Sequence, residues 1–540
     1  MLRRTASGPP LRLPMQPREL FLGADLGTSA LKLAAVTPGG ELHAAARIPY
    51  GAPRGRAGRA EDDPRRWWRA LRVGLAQLAE RIPLHQVVGI GCCGQTRAQV
   101  FLGPSGRVLY PAILWADQRA AAEAKELAER FAARRPNGRR AVPLTFDASA
   151  PLARLYWMPR HEPAVLEATR SVLQPKDFLV HRLTGAWAGD VPSNFQLLRR
   201  FDPPAATPLL GELGVPESLL PPLHAPWQVV GAVSARAGRA TGLRPGVPVV
   251  AGTQDGLCTA IGIGGAADGV AVDITGSTDS VGLCTRRRPR SGRVGIVPIA
   301  TGLTFCGGPT QVSGEALQWL AEAIGLPLGA EGARQALPVL RLAERAPARE
   351  GGPLFLPFLL GARAPLWDAS ARGVLFGLAR WHGPRQLARA VVEGIAFSVR
   401  HLLEAAEAAA GVRAFEVRVA GPAGGSAFWN QLKADVLGRP VRQPAVLEGG
   451  VMGAALLAAV GTGRYADVTQ AAQRMVRVVR SYRPGAGRRR YGARYAVYRE
   501  LAEGLRPVFA RLERPAPEAA PGAGRGRGGP AARRQRRGEP

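Results

Sequence analysis

The sequence predicts an α/β protein of two domains built on one repeated plan, and three observations carry that expectation. The chain has 540 residues, 46% of them hydrophobic and 21% charged, which allows more than one domain, each with a buried core. Near residue 20 an apolar run, LFLGADL, meets a turn of small polar residues and then a second apolar run, ALKLAAV. The same plan restarts after residue 263 in GVAVDITGSTDSVGLCT, as an internal duplication would have it.

The elements follow in order. LFLGADL, ALKLAAV and LHAAARIPY read as three antiparallel strands, because short apolar runs are separated by turn residues. PRRWWRALRVGLAQLAERI spaces its apolar positions three and four apart and reads as an amphipathic helix. VVGIGCCG is a buried strand, AQVFLGPSGRVLY a hairpin and DQRAAAEAKELAERFAARR a helix, while VPVVAGTQDG is an apolar strand that ends abruptly. In the second half GEALQWLAEAIG, RQLARAVVEGIAFSVRHLLEAAEAAAG and VMGAALLAAVGTG read as helices. Residues 1–18 read as a disordered extension without the apolar core of a secretion signal. Residues 512–540, rich in Pro, Gly and Arg, read as a disordered basic tail.

A net charge of +31 invites a nucleic-acid reading, but composition argues against a dedicated partner of that kind. Of 72 basic residues only Lys32, Lys125, Lys176 and Lys433 are lysines, which points to a genome-wide bias toward arginine. The tail can adhere to polyanions without that being its purpose. The five cysteines form no CxxC pair, which fits reduced, buried thiols and a cytoplasmic setting. No apolar run is long enough for a membrane helix.

Three turns carry candidate chemistry. Asp25 with Gly27, Thr28, Ser29 and Lys32 offers a carboxylate for Mg²⁺ beside backbone N–H groups and hydroxyls that suit phosphate oxygens. An ordinary hairpin turn is the competing reading, and the Walker pattern is absent. Gly276, Ser277 and Thr278 form a matching turn in the second half; facing the first across a cleft, they would complete a polyphosphate clamp. Asp255, delivered by an apolar strand between glycines, suits a base that takes the proton of an attacking hydroxyl. It reads equally as the start of a helix.

These motifs, in their order, resemble the FGGY family of carbohydrate kinases and its xylulokinase-like branch. The likeness spans about residues 20–505, with DLGTSALK, EDDPRRWW, QPKDFLVHRLTG and VAGPAGGSAFWNQLKADVLGRPV among its carriers. Gly373 to Glu393 follows the family's C-terminal signature. The resemblance implies two RNase H-like domains of the actin/hexokinase/Hsp70 type with a cleft between them. Residues 19–262 would bind sugar and 263–511 nucleotide. It implies ATP and Mg²⁺, a sugar phosphorylated at a primary hydroxyl, no membrane partner, and a possible homodimer. Asp255 matches the catalytic base, and Asp25 with Asp255 the metal side. Gly314 sits where the family approaches the nucleotide phosphates. Gly421, Gly424, Gly425 and Ser426 stand at the adenosine turn, where Pro422 and Ala423 interrupt the usual glycine run. The sugar side departs further, with Gln95-Thr96-Arg97 in place of Gln-Met-His and Ala362 in place of a glutamate. Trp115, Asp117 and Arg119 keep the WxDxR element, whose carboxylate would take two sugar hydroxyls. A glycerol or other polyol kinase, and a sugar-binding regulator without catalysis, are the alternatives.

Overall fold

The computed structural model describes residues 19–51, 58–133, 147–197, 210–276, 278–290, 292–300, 302–310, 312–327, 337–346 and 352–512. The expected extension 1–18 and all of the expected tail except Leu512, which ends a helix, lie outside the described residues.

Two seven-stranded sheets organise the chain. The first contains β1 (Leu20–Leu26), β2 (Ala30–Val36), β3 (Leu42–Pro49), β4 (Val87–Gly94), β5 (Val229–Ala232), β6 (Pro248–Val250) and β7 (Thr253–Gln254). Its order is β5-β6-β4-β1-β2-β3, with β7 also paired to β4. The second contains β8 (Val270–Thr275), β9 (Asp279–Thr285), β10 (Gly295–Ala300), β11 (Leu303–Pro309), β12 (Glu416–Ala420), β13 (Val441–Pro444) and β14 (Val478–Tyr482), in the order β10-β11-β9-β8-β12-β13-β14. The repeat expected from the sequence is plain in this pairing. β3-β2-β1 and β11-β9-β8 are antiparallel triplets, and each innermost strand then pairs in parallel with β4 or β12. Short turns join β1 to β2, β2 to β3, β8 to β9 and β10 to β11, whereas the parallel partners need long crossovers.

Helices cover both sheets: α1 (Pro64–Ala79), α2 (Pro175–Thr184), α3 (Asp255–Gly262), α4 (Gly314–Ala323), α5 (Pro384–Ala410), α6 (Ala427–Leu437) and α7 (Gly449–Gly461). α1 buries Trp67, Leu71, Leu75 and Leu78 on one stripe, as its three-and-four spacing requires. Along α7 buried residues run from Gly449 to Val460, because it has neighbours on every side. α3 and α7 share one core with Phe21, Ala34 and Val36 of the first sheet and Val272, Cys284 and Phe305 of the second. That core joins the two lobes. Its contacts are backbone on backbone: a Cβ on Gly23 would stand 1.9 Å from the Val451 carbonyl oxygen, on Gly91 2.0 Å from that of Ala454, and on Gly453 1.9 Å from that of Cys258.

One strand differs from expectation. VPVVAGTQDG breaks into β6 and β7 at Gly252, which takes φ 69° and has no room for a Cβ, since it would lie 1.8 Å from the Cys92 carbonyl oxygen. Gly252 N–H donates to the Pro226 carbonyl at 2.8 Å, so the chain steps off the ladder and returns aimed at Asp255. All five cysteines are free and buried.

Candidate active site

The C-terminal ends of β1, β4 and β7 lie side by side. Asp25 is opposite Cys93 in the β1–β4 register, and Thr253 and Gln254 are opposite Cys93 and Gly94, so Gln95 and Asp255 each follow the last paired residue of their strands. Asp255 opens α3, and its Oδ1 accepts from Gly256 N–H at 2.8 Å. Burial, and then the like charge of Asp25, push the Asp255 carboxyl up to about 7. Asp25 is also held above the ordinary carboxylate range, by burial first, against the pull of Lys32. The two aspartates thus lie near enough for the charge of Asp25 to act on Asp255. Asp25 Oδ1 accepts a weak 3.5 Å bond from the Cys93 thiol, and Lys32 Nζ stands 3.9 Å from Oδ2 while pairing with Glu448. Gly450 lies against this carboxyl: a Cβ there would sit 2.7 Å from Asp25 Oδ2 and displace it.

The small-residue turns form two groups. In the first, Gly27 N–H donates to the Ala30 carbonyl at 3.1 Å, the Tyr50 hydroxyl to the Gly27 carbonyl, and Tyr50 N–H to the Ser29 carbonyl at 2.9 Å; Thr28 is half-buried and Ser29 exposed. In the second, Gly276 N–H donates to the Thr278 carbonyl at 2.9 Å and Gly314 N–H, at the start of α4, to the Gly276 carbonyl at 3.1 Å. Gly421 takes φ 85° with its α-carbon against Thr275, where a Cβ would lie 2.0 Å from the carbonyl oxygen. Gly276, Gly314 and Gly421 are thus one cluster, whereas Ser277 lies outside the described residues. Ser426 spends its hydroxyl capping α6, accepting from Trp429 N–H at 3.2 Å; Gly424 is buried and Gly425 exposed. Leu447 and Glu448 link the groups, the Leu447 carbonyl accepting from Gly421 N–H at 3.2 Å and Glu448 pairing with Lys32.

Behind each group is a buried lysine between two aspartates, which the reading of motifs missed. Lys176 Nζ, 2.7 Å from Asp190 Oδ1 and paired with Asp177, also donates to the Ala251 carbonyl at 3.0 Å, while Thr253 Oγ1 donates to Asp190 Oδ2 at 2.8 Å. This knot holds the strand that presents Asp255. Lys433 pairs with Asp273 and donates to Thr275 Oγ1 at 3.1 Å, beneath the 276–278 turn. Burial and then Asp273 push the second aspartate here, Asp279, up to about 7. A signal was present in the sequence: of four lysines in the chain, two are committed to these knots and a third, Lys32, pairs with Glu448 beside Asp25. An ammonium is a compact charge with three donors, which a planar guanidinium cannot replace in such a knot.

On the sugar side, Gln95 is buried and neither its Oε1 nor its Nε2 finds a partner among the described residues. Thr96 is half-buried. Arg97 takes φ 58° and donates from Nη1 to Ser149 Oγ at 2.8 Å. Trp115 is exposed. Asp117, expected to take sugar hydroxyls, is fully buried and already engaged. Oδ2 accepts from Ala60 N–H at 2.7 Å and from Arg119 Nη2 at 2.8 Å, and Oδ1 from Arg119 N–H at 3.0 Å and Nε at 2.8 Å. Arg119 also pairs with Glu61. As placed, this pair fastens the loop after Leu114 to residues 60–61. No group of three His, Cys, Asp or Glu residues positioned to hold a metal ion occurs among the described residues.

Residues 20–262 match the model of the FGGY carbohydrate kinase N-terminal domain, and residues 274–462 that of its C-terminal domain. The xylulose kinase of Escherichia coli K12 is 29% identical over 506 residues, 91% of this chain and 99% of the relative. That of Klebsiella pneumoniae is 30% identical over 459 residues, 83% of this chain and 91% of the relative. The crystal structure of xylulose kinase from Rhodospirillum rubrum superposes with a TM-score of 0.78 at 29% identity, covering 91% of this chain and all of that one. With both lobes accounted for, the chain belongs to the FGGY family of carbohydrate kinases.

Proposed function

We propose that the protein transfers the γ-phosphoryl group of ATP to a primary hydroxyl of a small pentulose- or hexulose-type sugar, in the manner of a xylulokinase, with Asp255 as general base. The observation that supports this most directly is the position of Asp255, buried at the start of α3 after a broken strand, within reach of the charge of Asp25 and with its carboxyl pushed up to about 7. The sugar O–H gives its proton to an Asp255 carboxylate oxygen as the new O–P bond forms in line with the breaking bond to the ADP oxygen. Gln95, which follows the last residue of β4, has a buried amide without a partner among the described residues, with which to orient sugar hydroxyls. The hydroxyls of Thr28, Ser29 and Thr278 would meet phosphate oxygens on two turns whose shape is fixed by the N–H groups of Gly27, Gly276, Gly314 and Gly421, each donating to a carbonyl of the chain.

Asp25 and Asp255 fit a hard divalent cation: they are buried carboxylates near enough for one to raise the other, and Asp25 receives only a thiol and a distant ammonium among the described residues. These two residues would hold Mg²⁺, which when bound offsets charge on the phosphate oxygens. Among the described residues no helix is long and apolar enough to cross a membrane; a cytoplasmic enzyme is part of the proposal. A coupled ADP-release assay over pentuloses, hexuloses, pentitols and glycerol tests it. Turnover with one of the ketoses is expected. Asp255→Asn should lower kcat by about 10²–10⁴-fold with the KM for ATP nearly unchanged. Undiminished turnover by that variant removes Asp255 from the role of base.

A further inference from the structure

Whatever substrate the active site takes, we infer that the protein has a second anion site, for a phosphate group, in a cavity at the C-terminal end of α6. α6 is capped by Ser426 in the second group of turns and runs 11 residues to Leu437, which sets the cavity about 16 Å from those turns. The cavity measures about 130 Å³, the liquid volume of about four waters. Its walls come from segments distant in sequence. Arg400, Glu404 and Glu407 stand on the second half of α5, Arg413 in the loop after it, Arg439 just past α6, and Arg488 on α8 (Gly487–Gly504).

Four arginines and two glutamates leave this cavity with a surplus of two positive charges. Both carboxylates are already engaged. Glu407 accepts from Arg439 Nη2 at 3.0 and 3.2 Å and from Ala414 N–H at 2.9 Å. Glu404 accepts from Arg400 Nε at 2.8 Å and from the Tyr495 hydroxyl at 2.7 Å, with Arg499 3.6 Å away. Asp435, near the start of α8, does not line the cavity and accepts from Gly485 N–H at 2.7 Å and Gln431 Nε2 at 3.0 Å. The guanidinium groups of Arg413 and Arg488 make no ion pair and no hydrogen bond among the described residues. A phosphate group carries about −1.5 to −2 near neutral pH, which answers the surplus, and its oxygens match the guanidinium fork. The walls also keep the space open. Gly438 takes φ 62° and lets Arg488 lie against the main chain, where a Cβ would come within 3.2 Å of Arg488 Nε. Gly492, one turn beyond Arg488 on the same face of α8, lines the cavity too, and a Cβ there would meet nothing within 4 Å. The space admits the phosphate group itself and leaves the rest of an ester outside, where Arg413 and Arg488 are exposed.

Titration calorimetry on the full chain tests this with inorganic phosphate and with glycerol 3-phosphate, in chloride buffer with ADP at saturation. Expected is a Kd of about 1 mM or tighter for at least one of them. It should weaken at least about 10-fold in the double variant Arg413→Gln/Arg488→Gln. The same loss is expected in Gly492→Leu, which fills the cavity from a helical position with room for a side chain. Gly492→Gln serves if the leucine variant does not fold. Tighter binding of the ester assigns the site to a phosphorylated metabolite, and tighter binding of phosphate to the free ion; either upholds it. Failure of both ligands to bind the wild type overturns it. So does binding that survives in both variants, which places the anion at the active-site turns. A loss in the arginine variant alone overturns it as well, because the anion then sits on exposed guanidinium groups outside the cavity.

Discussion

At the scale of single residues, Asp255 joins activity and stability through one proton. Its carboxyl holds that proton up to about 7 in the folded chain, because ionising it means placing a charge in a buried site beside Asp25. The unfolded chain releases the proton in the ordinary carboxylate range. Between these pH values the folded state binds more protons than the unfolded state, so the contribution of Asp255 to stability declines as pH rises through the window. Activity runs the other way, since a base must be ionised, and should climb through about pH 7. Asp255→Asn is expected to melt at least about 2 °C above the wild type at pH 8, with the gap closing toward pH 4. Thermal scans at several pH values measure it; a gap independent of pH contradicts the assignment. The sequence singles out Asp25, Asp255 and the two turns because their types suit the proposed chemistry whatever surrounds them. The engagement of Asp117 was not, because it depends on Arg119 folding back and on Ala60, which lies far off along the chain.

At the scale of elements, the buried lysine knots turn secondary structure into positioned loops. Lys433 reaches from α6 to Asp273 and Thr275 on β8 and lies 4.5 Å from the Trp429 ring centre. Removing one partner of a buried pair strands the other charge, so Lys433→Met should cost about 3–5 kcal/mol. Lys433→Arg should fail to recover it, because the planar fork does not fit where an ammonium did. Urea midpoints for the two variants decide this, and full recovery by arginine would remove the argument from lysine geometry. Most strands and helices were readable from period and punctuation. VVGIGCCG proved to be β4 from end to end, and the α1 stripe is the one its spacing describes. The split at Gly252 was not readable, since the cause is the nearby Cys92 carbonyl rather than anything in the local sequence.

At the scale of the whole molecule, the repeated strand–turn–strand unit announced two lobes, and the sheets bear it out with the same order of pairing. What the sequence concealed is where α7 goes. Its apolar run suits any buried helix, and nothing local says that it lies between both sheets. The glycines that admit it look like ordinary strand and helix residues until the other backbone is seen against them. Gly453→Ala should destabilise the chain by about 3 kcal/mol or more, because the new methyl meets the Cys258 carbonyl and neither backbone can retreat. A urea midpoint equal to that of the wild type would show that the contact yields.

Those crowded glycines also divide the labour of evolution. A joint made of main chain offers selection nothing to tune, since each substitution there is an obstruction. Novelty in this scaffold is therefore driven outward, to the rims around residues 95–97, 147–149 and 362–368, where side chains can be exchanged while the axle beneath them keeps its fit.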